Sequence, residues 1–207
     1  MATEILEEPR IGSVLFHVRH RITVEEYHRI IDAEVFGPEP RVELLEGVIV
    51  DKSPKTPPHM LATDLLGEFL HHVLPRGSGH YGSRVSPITI EDRNSEPEPD
   101  ATVLRGSPRD YARRRRTPAD AALIIEVADT SYEFDRFVKW VAYAGAGVPI
   151  YWILDLNRGR LEVHTKPEGQ GETASYTRTQ ILGPDDEVSL IIDSREVARF
   201  AVREILP

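Results

Sequence analysis

The sequence predicts an α/β (α+β) fold in which a mixed central β-sheet is flanked by helices and extended by extra antiparallel strands towards the C-terminus. Three observations carry that expectation. Residues 121–155, AALIIEVADTSYEFDRFVKWVAYAGAGVPIYWILD, read as strand, helix, strand, a length that suits a parallel crossover. From His59 the apolar positions Ala62, Leu65, Leu66, Phe69, Leu70 and Val73 recur at helical spacing. After residue 159, Arg160–Lys166, Ser175–Leu182 and Glu187–Ile192 are three strand-like segments separated by turns at Gly169, Gly171 and Gly183.

A chain of 207 residues suits one domain with a real core, here expected over residues 21–207 behind an N-terminal arm of residues 1–20. Acidic residues number 34 against 25 basic ones, which disfavours non-specific nucleic-acid binding by the surface as a whole. Cysteine is absent, so thiolate metal sites and thiol nucleophiles are excluded, and a reducing cytoplasmic setting is the expectation. No apolar run is long enough to span a bilayer, so no membrane partner is expected.

In chain order, Thr23-Val24-Glu25-Glu26 is a capping box, with Ile22 and Tyr27 placed for a hydrophobic staple, and it predicts a short helix to about Phe36. Arg41–Asp51 reads as a strand pair or one bent strand, turning at Gly47. Pro54, Pro57 and Pro58 suggest a stiff loop before the helix that starts at His59 and ends near Leu74. His71 and His72 near its end fit the helix dipole better than a metal. Tyr81–Ile90 and Pro99–Leu104 are the next expected strands, joined by the acidic, proline-rich loop EDRNSEPEP. Arg195–Glu204 is expected to close the chain as a helix.

Within the central unit, residues 122–128 are apolar on both faces except for Glu126. A carboxylate inside a buried strand is costly unless a cation lies close to it. The following helix is expected to start at the capping box Thr130–Glu133 and to bury Phe134, Phe137, Val138, Val141 and Ala142. Asp135, Lys139 and Tyr143 are four apart and share one face, where Lys139 is a candidate partner for Glu126. The same spacing also fits an ordinary surface ion pair.

The order Pro99-Asp100, Glu126, Lys139 resembles the PD-(D/E)XK nuclease superfamily, and the chain from Ile22 to Lys166 resembles its Uma2 family more closely. The likeness is carried by ITVEEY (Ile22–Tyr27), ELLEG (Glu43–Gly47), Ser53-Pro54 followed by His59, Pro99-Asp100, IIEVAD (Ile124–Asp129), the Asp135, Lys139, Tyr143 spacing and GVPIYWILD (Gly147–Asp155). The resemblance implies a restriction-endonuclease-like core. It also implies a nuclease in which Asp100 and Glu126 hold Mg²⁺ or Mn²⁺, Lys139 positions the attacking water or stabilises developing charge, and Glu43 orients a water or binds a second ion. His59 and Tyr143 match supporting positions. The superfamily lysine usually stands two residues beyond the second carboxylate, where this chain has Ala128, so Lys139 on the helix is the implied replacement.

Arg113, Arg114, Arg115 and Arg116 form a basic run that suits either a solvated loop or phosphate contact. A homodimer, the commonest symmetric assembly, would bring two such runs around one groove. A fold does not guarantee catalysis, so the alternative to the nuclease is an inactive nuclease-fold binding or assembly module.

Overall fold

The computed structural model describes residues 20–207; the expected arm lies almost wholly outside them. Its centre is a six-stranded sheet in the order β3 (His80–Arg84), β4 (Ala101–Arg105), β5 (Ala121–Ala128), β6 (Ile150–Asp155), β7 (Arg160–Glu168) and β8 (Ser175–Leu182). Only β5 and β6 run parallel, joined by a crossover helix, and every other neighbouring pair is antiparallel.

All eight residues of β5 are buried, because each face of the strand is covered. Leu123, Ile125 and Val127 join a core with Leu66 and Leu70 of helix α2 (Pro57–Val73) and with Leu190 and Phe200 of the hairpin β9 (Glu187–Ile192) and β10 (Arg195–Ala201). Ile124 and Ala128 belong to the opposite core, with Ala142, Tyr143 and Tyr151. Alternation along the strand therefore turns Glu126 towards the crossover helix α3 (Tyr132–Gly145).

The first helix, α1 (Val24–Asp32), has the expected capping box: Thr23 Oγ1 accepts from the Glu26 amide at 3.2 Å, and Glu26 Oε2 accepts from the Thr23 amide at 2.9 Å. The hairpin β1 (Val42–Leu45) and β2 (Val48–Asp51) turns at Glu46 and Gly47, both with positive φ, and a Cβ on Gly47 would stand 2.7 Å from that of Arg21.

Four expectations are corrected. Pro57 and Pro58 open helix α2 and are not part of a loop; Thr56 caps it, and proline at the first helical positions lacks only an amide that would go unpaired. Strand β3 stops at Arg84 well short of Ile90. Residues 195–201 form strand β10 and not a helix, because Asp193 and Ser194 both adopt positive φ and make a tight turn from β9; only Val202–Glu204 is helical, as one 3₁₀ turn. Helix α3 starts at Tyr132, without the Thr130 cap, and Asp135–Lys139 is π-helical. Phe137 is consequently 63% exposed, while Asp135 and Lys139 are buried. No helix among the described residues is long and apolar enough to cross a membrane.

Candidate active site

Residues that an apolar-face reading of α3 would put outside are thus the ones the helix turns inward. Lys139 Nζ lies 3.1 Å from Glu126 Oε1, 3.3 Å from Glu43 Oε1 and 3.7 Å from Asp135 Oδ1. Tyr143, one turn on, donates to the same Glu126 Oε1 at 2.9 Å. Both donors take Oε1, and among the described residues none is bonded to Oε2.

Asp100 reaches the same place from β4. Ala101 pairs with Ile125, and extending that register by one residue sets Asp100 across from Glu126. Its Oδ2 accepts from the Val127 amide at 3.0 Å and lies 3.1 Å from His59 Nε2, while Lys55 Nζ approaches Oδ1 at 3.4 Å. His59 is held by the first turn of α2 and faces Thr63, whose hydroxyl is 3.4 Å from Nδ1. Glu43, on β1, accepts from the Glu98 amide at 3.1 Å.

Glu43, Lys55, His59, Asp100, Glu126, Asp135 and Lys139 line one cleft of about 370 Å³. Seven carboxylates, Glu43, Asp51, Glu98, Asp100, Glu126, Asp129 and Asp135, meet four cationic groups there, Arg41, Lys52, Lys55 and Lys139. Lys52 pairs with Glu98, and burial lowers its pKa. The electrostatics follow from that imbalance. Burial, reinforced by Asp135, Asp100 and Glu43, drives the Glu126 carboxyl well above its ordinary range despite the Lys139 charge. Asp135 is pushed up to about 6 by burial against the opposing pull of Lys139 and Ser131. Burial opposes the charge on Lys139, yet Glu126, Glu43 and Asp135 together raise its pKa, so it keeps its proton. Asp100 differs: burial raises it, but the hydrogen bond and charge of His59, the Val127 amide and Lys55 bring it below the usual carboxylate value.

A raised folded-state pKa on Asp135 means that the native state holds more protons than the unfolded chain between the two values, so stability falls as pH rises through about 6. The protein is accordingly expected to melt lower at about pH 7.5 than at about pH 5, and Asp135→Asn to remove part of that difference, Glu126 contributing to the rest. Thermal melts of both proteins across this range provide the check; an unaltered pH slope in the variant would take Asp135 out of the account.

The arginine run is not brought to the cleft. Arg114 forms a two-pronged pair with Asp120 at 2.7 and 2.8 Å and lies 4.5 Å over the Tyr111 ring, with Arg116 at 5.4 Å over that ring. Arg113 and Arg115 are exposed. The cationic rim that sequence reading missed is Arg41, Lys52 and Lys55, isolated residues in the chain with no pattern to mark them. Asp129 was also missed; it accepts a hydrogen bond from the Thr56 hydroxyl at 2.5 Å, tying the cap of α2 to the end of β5.

The sequence model of the Uma2 family, described as "Putative restriction endonuclease", matches residues 24–195. No curated protein matches the chain. Among solved structures, a "putative nuclease belonging to DUF820" from Anabaena variabilis is similar in fold, with a TM-score of 0.65 and 15% identity over 89% of this chain and 97% of that one.

Proposed function

The chain belongs to the Uma2 family, and from that premise we propose that it is a divalent-metal-dependent nuclease that hydrolyses phosphodiester bonds of nucleic acid. The observation that supports this most is the meeting of Glu43, Glu126 and Asp135 on the buried Lys139 amine in the cleft that Asp100 also lines.

The residues fit a hard cation. Every candidate ligand is an oxygen, negative charge is in excess, and Glu126 keeps Oε2 free of protein donors. Among the described residues no group of three or more carboxylate or histidine side chains is arranged to hold a metal ion by itself. Asp100 and Glu126 would hold it. When bound, Mg²⁺ or Mn²⁺ polarises a phosphate oxygen and lowers the pKa of an attacking water.

The other roles belong to the chain's own residues. Because Lys139 keeps its proton, it acts as a fixed cation and not a general base, and its amine would stabilise charge that develops on the phosphoryl oxygens. Tyr143 holds the Glu126 carboxylate in one orientation through Oε1. His59 does the same for Asp100. Glu43 completes the lysine's surroundings and would orient a water or bind a second ion. Arg41, Lys52 and Lys55 offset substrate charge at the rim, and Arg113 and Arg115, exposed beside the Asp120-paired Arg114, meet more distant phosphates. A homodimer would join two such surfaces.

The test is cleavage of single- and double-stranded DNA and RNA by the wild-type protein with Mg²⁺ or Mn²⁺ and with a chelator. Cleavage that needs the ion is expected. Binding of nucleic acid with no cleavage of any substrate would move the protein to the inactive module.

A further inference from the structure

Val85 follows the last residue of β3 and carries a φ of 49°. Left-handed backbone is open to glycine and tolerated by asparagine, whereas a β-branched side chain is strained there. Seven non-glycine residues among those described have positive φ, and Val85 is the β-branched one. Three contacts surround the turn. Its amide is 3.4 Å from the Asp100 carbonyl, Ser83 and Ser86 join their hydroxyls across it, and Arg84 pairs with Asp64 at 2.7 Å.

Such strain persists where surrounding interactions stabilise it, and apolar packing does not do so here. Val85 is 45% exposed and stands outside the apolar clusters of the described residues. It lines the cleft together with Asp100, Glu126 and His59. The pairing of Arg84 with Ala101, extended by one residue, sets Val85 beside Asp100. A branched hydrocarbon in that position offers nothing to a phosphate. It does match the apolar face of a sugar and base, and apolar side chains set against base steps are an established mode of nucleic-acid contact.

We infer that Val85 is a substrate-contact residue that packs its isopropyl group against the sugar and base of the nucleotide beside the scissile phosphate. The inference rests on the nuclease reading and adds to it a contact that reads the nucleoside and not its charge. Glycine at this position relieves the backbone strain while deleting the contact, so a loss of binding is expected without a loss of stability.

The experiment compares wild type, Val85→Gly and Val85→Ile by thermal melting, by calorimetric titration with Mn²⁺, and by fluorescence anisotropy with labelled DNA and RNA oligonucleotides in Ca²⁺. Val85→Gly is expected to keep or raise the melting temperature, to keep Mn²⁺ affinity, and to weaken oligonucleotide binding about five- to tenfold, the loss of one partly buried aliphatic contact. Val85→Ile retains wild-type binding. An unchanged oligonucleotide Kd in Val85→Gly overturns the inference alone, as does a variant that melts lower and loses Mn²⁺ as well, since that is a structural role. A wild type that binds no oligonucleotide overturns the nuclease reading together with it.

Discussion

Replacing Lys139 with alanine is expected to lower the rate of nucleic-acid cleavage about 100- to 1,000-fold, the usual cost of removing one preorganised donor from a charge-developing site. Metal binding should persist or tighten. The amine sits among three carboxylates at 3.1 to 3.7 Å and competes with any cation for the same negative charge. Removing it leaves Glu43, Glu126 and Asp135 buried without their shared counter-ion, so the metal-free variant should be destabilised by about 3–5 kcal/mol, with much of that recovered on adding Mn²⁺. Lys139→Met, which retains more of the side-chain volume, separates loss of charge from loss of packing. Single-turnover cleavage beside melts with and without Mn²⁺ measures both effects. Wild-type cleavage by either variant would remove Lys139 from the chemistry; a stability loss that Mn²⁺ leaves unrepaired would mean that the lysine's partners do not face the metal.

The lysine also shows how far sequence could be read. Its order behind Asp100 and Glu126, and its spacing from Asp135 and Tyr143, were visible as pattern, as were the buried character of β5 and the parallel crossover to β6. These are local signals: hydrophobic runs, caps and fixed offsets along one element. The π-helical turn over Asp135–Lys139 was not visible, because no residue in DRFVK marks it, yet it accompanies the exposure of Phe137 and the burial of two charges. The same holds for β10, where a helical reading of REVARFA lost to pairing with β9 through the two-residue turn Asp193-Ser194. Lys52 and Lys55 reach the cleft because the β1–β2 hairpin and the chain just after it fold beside residues 96–98, and tertiary placement of that kind leaves no periodic trace. The strain at Val85 is likewise a property of the turn after β3 and not of its residue type.

The second large effect concerns Glu126. Glu126→Gln keeps the shape of the side chain and an oxygen that can accept from Tyr143 and Lys139, so the local hydrogen bonds at 2.9 and 3.1 Å survive the change. What it removes is a charge that burial and three neighbouring carboxylates already oppose. The metal-free variant should therefore be as stable as the wild type or more so, since a neutral group replaces one whose ionisation is costly in that position. Metal binding should be lost, because an amide oxygen is a far weaker ligand for a hard cation than a carboxylate, and cleavage should fall with it to background. Asp100→Ala should lose the ion too, but through a different energetic route: it strips a partner from His59 and from the Val127 amide and so lowers stability. Calorimetric titration with Mn²⁺ and melts of the three proteins read these out together. Full Mn²⁺ affinity in Glu126→Gln would show that the ion sits elsewhere in the cleft. A stable variant that has lost both the ion and cleavage is the combination a structural ion pair cannot produce, because breaking such a pair destabilises the fold and leaves no activity to remove.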